Sequence, residues 1–286
     1  MGRRDRRLII SSLSGGLGNQ MFQYAVGRAL ALRRGSKLEL DVGWLQPESY
    51  VTRFKYELGA FKLDVGLTSA YRHRRRERVR EVLGLAPPAY VYKPLVFDPK
   101  VLEEPGYVRL VGYWQNEKYF EEIADVIRSD FEFREPLDAS DAAIAVEIER
   151  STAVSVHVRR GDNVWNPAST RFHGVLPLEY YRSATELIRS SVSEPHFFVF
   201  SDDPEWCRAN LQLPGPVTVV DHNQDNAGDD LRLMALCRHH VVANSTYSWW
   251  GAWLSRREDK IVVAPKKFVA AAGVEHDVVP DHWVTL

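Results

Sequence analysis

Four short apolar runs in the second half of the chain each end in residues able to do chemistry. His157-Val158-Arg159-Arg160-Gly161-Asp162 closes the first, Ser201-Asp202-Asp203 the second, Asp221-His222-Asn223 the third and Asn244-Ser245-Thr246-Tyr247-Ser248 the fourth. Guanidinium, carboxylate, hydroxyl and imidazole groups gathered there suit a polar ligand with anionic parts. Side chains alternate along a strand, so Val154, Val156 and Val158 share one face while His157 and Arg159 share the other. The planar fork of Arg159 donates two parallel hydrogen bonds, which fits the oxygens of a diphosphate. The competing explanation is a structural ion pair of Arg159 or Arg160 with Asp162. Ser245, Thr246 and Ser248 stand at the start of a helical pattern, where free amides and the helix dipole can hold a phosphate without a metal. Ordinary capping by one of the hydroxyls is the simpler role.

Those residues need a frame. Ala153–Val158, Phe197–Phe200, Val217–Val220, His240–Ala243 and Ile261–Ala264 read as strands, alternating with helices over Pro177–Ile188, from Asp202-Asp203-Pro204 onward, over Asp229–Cys237 and over Ser248–Leu254. Alternating strands and helices predict a doubly wound parallel sheet, in which ligands bind beyond the carboxyl ends of the strands. Trp249, Trp250 and Trp253 fall on the last helix as core, and the pairs Asp202-Asp203 and Asp229-Asp230 as helix caps, with Asp202 also placed to accept from a base or ribose. The first half repeats the pattern more weakly. A strand over Leu8–Leu13 leads into Gly15-Gly16-Leu17-Gly18-Asn19-Gln20, a helix over Asn19–Arg34 and a strand over Lys37–Asp41. That turn lets a ligand approach the backbone closely but lacks the G-x-G-x-x-G spacing of a dinucleotide loop. The expected domains are 1–150 and 151–286, with a helix over Asp138–Arg150 leading into the second sheet.

Composition narrows the choice. With 37 Lys+Arg against 38 Asp+Glu the chain has no general attraction to nucleic acid. Cys207 and Cys237 cannot make a disulfide scaffold. There is no Asp-x-Asp triplet or H-E-x-x-H arrangement, so no metal is expected. No apolar stretch is long enough to span a bilayer, and the Leu8-Ile9-Ile10 run after the basic N-terminus is too short for a secretory signal, giving a cytoplasmic expectation. The basic run Arg72–Arg80 offers a peripheral contact for the inner face of a membrane, but a solvated helix face with an apolar stripe of Val79, Val82 and Leu83 explains it better.

Taken together, the segments Gly15-Gly16-Leu17-Gly18-Asn19-Gln20-Met21-Phe22-Gln23-Tyr24-Ala25, His157-Val158-Arg159-Arg160-Gly161-Asp162, Phe200-Ser201-Asp202-Asp203 and Asn244-Ser245-Thr246-Tyr247-Ser248-Trp249-Trp250-Gly251-Ala252-Trp253 resemble the family 11 glycosyltransferases, the α-1,2-fucosyltransferases. His173-Gly174-Val175 followed by Tyr180-Tyr181 also fits, whereas about 46–105 carries no matching motif. The resemblance implies a GT-B-like α/β fold, two Rossmann-like domains facing a cleft, with GDP-fucose on the second domain and a galactose-terminated glycan on the first. It implies inverting, metal-independent transfer of L-fucose from GDP-β-L-fucose to the 2-OH of galactose, with no cofactor. Carried over, Arg159 binds the β-phosphate, His157 and Asp202 the nucleoside, and Ser245, Thr246, Tyr247 and Ser248 the diphosphate. Arg160, Ser201 and Asn244 belong to the same donor-binding motifs, and Asn19 lies at the donor–acceptor junction. Asp162, His173 and Asp202 are the candidate general bases. Asn163 stands where the family often has Tyr, which leaves acceptor contacts in that loop open. Other readings are a fucosyltransferase of different linkage, a transferase of another GDP-sugar, and a carbohydrate-binding protein without catalysis. An NAD-dependent enzyme is disfavoured by the glycine spacing.

Overall fold

The structure, a computed structural model, describes residues 7–45, 54–69, 79, 81–84, 86–223 and 226–286, without the side chains of Asp162 and Ala227. The Arg72–Arg80 run, Val79 apart, lies outside the described residues. Val79, Val82 and Leu83, expected as its seated apolar stripe, are all exposed. The chain forms two compact units, Met1–Arg134 and Glu135–Leu286.

The N-terminal unit holds β1 (Leu8–Ser12), α1 (Leu17–Arg34), β2 (Lys37–Asp41), β3 (Gly66–Thr68), β4 (Ala89–Val91), β5 (Tyr107–Val111) and α2 (Ala124–Asp130). Its sheet is parallel throughout, in the order β3-β2-β1-β5-β4. The central β1 has Ile9 and Ile10 both buried, as a strand covered on both faces requires. Helix α1 ends at Gly35, whose φ of 59° lets its N–H return to the Ala31 and Leu32 carbonyls. The three-residue strands β3 and β4 are not legible in the sequence, since they are too short to show a period.

The C-terminal unit holds α3 (Ala139–Glu149), β6 (Thr152–Val158), α4 (Gly161–Trp165), α5 (Pro167–Phe172), α6 (Leu178–Ser191), β7 (Pro195–Ser201), α7 (Pro204–Asn210), β8 (Val217–Val220), α8 (Ala227–Leu236), β9 (His239–Val241), α9 (Thr246–Leu254), β10 (Val262–Ala264) and β11 (Val284–Thr285). Helix α3 packs against β6 and α8, so the division between units falls before it, ahead of residue 150. The sheet is again all parallel, ordered β11-β10-β9-β6-β7-β8. Tyr180, Tyr181, Ala184 and Ile188 recur at helical spacing on α6 and bury against Val154, Val156, Val158, Phe197 and Val199. His157 therefore belongs to the opposite face of β6, as alternation predicts. The stretch after β6, expected as a loop, instead contains α4 and α5; Asn166 starts the latter, its side chain accepting from the Ala168 and Ser169 amides with Pro167 in the first turn. Two parallel-sheet α/β units are the fold class the sequence implies.

Candidate functional site

In the C-terminal sheet, chain order runs β6, β7, β8 to one side and then resumes at β9 on the other side of β6. The switch point of the sheet therefore lies between β6 and β9, where an open parallel sheet leaves a crevice at its carboxyl edge. The segments on either side are 157–162 and 242–248, the two richest in candidate residues.

From β6, the Arg159 guanidinium meets Asp202 Oδ2 at 2.8 Å, and the Arg160 backbone N–H donates to Asp202 Oδ1 at 2.8 Å. Arg160 Nε donates to Asp203 Oδ2 at 3.0 Å while its guanidinium lies 3.8 Å from the centre of the Trp206 ring. Asp203 also caps α7 through the Trp206 amide at 3.2 Å. Ser201 Oγ donates to the Val158 carbonyl and accepts from the Asp203 amide, bracing the two strand ends. An ion pair for Arg159 thus exists, with Asp202 as its partner. Each oxygen of that carboxylate accepts from one of the two arginines. A Cβ on Gly161 would lie 2.4 Å from Asp202 Oδ2, so a larger residue there would have to shift that carboxylate. The Asp162 side chain lies outside the described residues.

His157 is buried, its ring centre 5.6 Å from that of Tyr247 on α9, and its Nδ1 has no protein partner. Burial, with help from the Arg159 charge, pushes its pKa down to about 3. At neutral pH it is an uncharged hydrogen-bonding ring and not a cation.

From β9, Asn244 donates to the His173 carbonyl at 2.8 Å and to that of Gly174 at 3.4 Å, while its buried Oδ1 has no partner. Gly174 makes this turn at a φ of +73°. His173 contributes its carbonyl to the brace and leaves its side chain exposed. Tyr180 Oη bridges the Val242 and Val263 carbonyls at 2.6 and 3.2 Å, fixing the end of β9 from below. Ser248 Oγ accepts from the Ala243 amide and donates to the Ser245 carbonyl. No side chain caps α9 at Ser245. The half-buried Ser245, Thr246 and Tyr247 therefore frame an uncapped helix N-terminus suited to an anion. Trp249, Trp250 and Trp253 are core, and Trp249 Nε1 donates to the Val278 carbonyl.

Asn163 is buried on α4, its side-chain oxygen accepting from the Ser169 hydroxyl and its backbone carbonyl from the Thr170 hydroxyl at 2.7 Å each. At the far edge, Asn223 donates to Asp141 at 2.7 Å and to Asp230 at 3.1 Å, and His222 meets Asp141 at 2.9 Å. Burial raises Asp230 to about 6. Among the described residues no group of His, Cys, Asp or Glu is arranged to hold a metal ion.

The N-terminal sheet has its own switch point, between β1 and β5. There Gln115 Nε2 donates to Asn19 Oδ1 at 2.8 Å. Gln20 and Gln23, both buried, tie the glycine turn down: Gln20 to the Gly15 and Lys55 carbonyls, Gln23 to the Ser14 amide and the Gly112 carbonyl. Sequence reasoning quotes Gln20 and Gln23 within the glycine-turn motif without giving them a role, and passes over Gln115 and Trp206. Two glutamines on the apolar face of α1 are the signal that would have found the first pair.

The family model for Glycosyl transferase family 11 matches residues 105–286. The O-antigen biosynthesis glycosyltransferase WbnK of Escherichia coli is 34% identical, covering 96% of this chain and 99% of the relative. An α-1,2-colitosyltransferase of Escherichia coli is 31% identical over 98% of this chain and 99% of its own. Galactoside α-(1,2)-fucosyltransferase 1 of Rattus norvegicus is 26% identical over 84% of this chain and 62% of its own. Among solved structures, NodZ α-1,6-fucosyltransferase soaked with GDP-fucose has the same fold, with a TM-score of 0.53 at 16% identity, covering 87% of this chain and 92% of that one. The two parallel-sheet units give the chain a GT-B-type fold, and the family model and relatives make it a glycosyltransferase. It belongs to glycosyltransferase family 11.

Proposed function

We propose that the chain transfers L-fucose from GDP-β-L-fucose to the 2-OH of a terminal galactose, with inversion and without a divalent ion. The observation that carries this is the pairing of the Arg159 guanidinium with an uncapped α9 N-terminus on opposite sides of one switch point. A departing diphosphate gains negative charge, and fixed donors aimed at that charge commonly supply the largest catalytic contribution. Asp202 holds the Arg159 fork in place, so the donor is oriented before the charge develops. His157 and Asn244, each with a buried atom lacking a protein partner, provide neutral hydrogen bonds for the nucleotide. The α-1,2 linkage is supported by the similarity to the α-1,2-colitosyltransferase and the galactoside α-(1,2)-fucosyltransferase. The first of these also favours colitose as an alternative sugar on the same type of donor.

The test is transfer from GDP-fucose and GDP-colitose to galactose-terminated glycans, with and without EDTA, beside a thermal shift with GDP. Expected are a GDP-dependent rise in melting temperature, a new linkage to O2 with α configuration, and indifference to chelation. Stabilisation by glycan alone, with no response to GDP, would replace a transferase by a binding protein. Loss of transfer in EDTA would remove metal independence.

A further inference from the structure

Of the chain's eight tryptophans, all of them among the described residues, Trp165 alone is exposed, at 62%. The others are buried or half-buried, the usual place for so large an apolar ring. Val164, Phe172 and Val175 are exposed as well, so four large apolar side chains meet solvent on the segment 164–175. Loose packing does not explain them, because polar groups tie that segment down. Buried Asn163 accepts from the Ser169 and Thr170 hydroxyls, Asn166 caps α5, and the Phe172 carbonyl accepts from the Ala270 and Ala271 amides at 2.9 and 3.1 Å. Asn244 holds the next two carbonyls, those of His173 and Gly174. A frame braced in this way presents its apolar side chains in fixed places, and such a surface marks a binding site.

Its position points to the occupant. Gly161 opens α4, and a Cβ there would lie 3.8 Å from the central carbon of the Arg159 guanidinium. Trp165 closes the same helix four residues later, a rise of about 6 Å. Trp165 thus stands within the length of a disaccharide of the fork at the donor edge, on the same unit. The chemistry agrees. A pyranose has a face of C–H groups and a rim of hydroxyls; the flat rings of Trp165 and Phe172 suit the face, and the exposed side chains of Arg171 and His173 suit the rim. The His173 ring meets that of Phe172 edge-on, with centres 4.8 Å apart.

We propose that Trp165, with Phe172, is a stacking platform for the acceptor glycan on the C-terminal unit. This rests on the transferase reading above, and it gives the C-terminal unit a share of the acceptor that the family resemblance assigns to the first unit. Trp165 binds and orients a sugar and takes no part in bond making, so its removal weakens the acceptor and spares the donor.

The test uses the full chain with saturating GDP-fucose and the galactose-terminated glycan that the wild type turns over fastest, lactose being the first probe. Trp165→Ala should raise KM for the glycan about tenfold or more, the scale of losing one aromatic anchor. KM for GDP-fucose, the GDP thermal shift and the melting temperature should not move, and kcat should stay within about threefold of wild type. Trp165→Phe should recover part of the loss. An unchanged glycan KM in Trp165→Ala overturns the proposal, whether or not the variant melts earlier. So does an equal weakening of the GDP response, which would make Trp165 a support of the donor loop. If the wild type sediments as a dimer and Trp165→Ala as a monomer with the same glycan KM, the surface joins two copies of the chain and the proposal fails. A wild type that transfers from neither GDP-sugar and ignores GDP removes the transferase reading and this proposal together, whereas an active wild type with an indifferent variant removes this proposal alone.

Discussion

In the proposed reaction Arg159 meets a structural and a chemical demand with one side chain. Its ion pair with Asp202 is half-exposed, so as a contribution to stability it is worth little. Its effect is geometric: Asp202 also accepts from the Arg160 amide, which sets the carboxylate and through it the plane of the fork. Arg159→Ala should therefore fold with a nearly unchanged melting temperature and lose about 10²–10³ in transfer rate, the usual consequence of removing one donor to developing charge. Arg159→Lys should recover little of it, since an ammonium cannot reproduce two parallel N–H bonds. Steady-state rates beside melting curves check this, and near-normal turnover by the Ala variant would remove Arg159 from the mechanism. The sequence exposes Arg159 because it ends an apolar run with its side chain on the non-core face. It could not expose the partner. Asp202 lies on a different strand, and only the register that sets Val158 beside Ser201 brings the two together.

Elements differ in how openly they advertise themselves. Strands buried on both faces, such as β6 and β7, and a helix with the spacing of α6 can be read directly, and so can the residues at their ends. Helices α4 and α5 and strands β3, β4 and β11 cannot, being short and only partly buried. Gln115 falls in that second category, on an irregular segment that follows Trp114, whose φ is 56°. The turn after β5 depends on Gly112, where an added methyl would meet the Tyr92 backbone oxygen at 2.5 Å and the Trp114 ring at 2.9 Å. A backbone atom cannot rotate away. Gly112→Ala should destabilise by about 1–3 kcal/mol, the usual range for overpacking, and should lower transfer further than its stability loss explains because Gln115 is displaced from Asn19. Thermal unfolding and transfer rates at a temperature well below the transition separate the two effects. An unaltered melting temperature would mean that the turn relaxes freely.

At the scale of the whole molecule, buried ionisable groups tie stability to pH in opposing directions. His240, on β9 with Nδ1 2.8 Å from Ser155 Oγ, is held well below the ordinary imidazole range by burial, then by the charges of Lys260 and His239. His157, at about 3, behaves alike. Both are neutral in the native chain and take up a proton on unfolding once the pH is below about 6.5. There the unfolded state binds more protons, so this contribution is complete above about 6.5 and is lost as pH falls toward the native values. Asp230 acts in the other sense. At about 6 in the native chain it binds a proton that the unfolded chain gives up, so across roughly pH 4–6 stability falls as pH rises. Burial lowers His239 and His276 in the same sense as the first two histidines and raises Asp41, Glu57 and Asp229 in the same sense as Asp230, so the two tendencies oppose each other and single substitutions are needed to separate them. His240→Asn isolates one contribution, because the shorter amide can still reach Ser155 but does not titrate. Between pH 6 and 4 the slope of its unfolding free energy against pH, measured in urea, should lie below that of wild type by up to about 1.4 kcal/mol per pH unit. Parallel curves would mean that His240 binds its proton equally in both states, and burial would no longer be the cause of its low pKa.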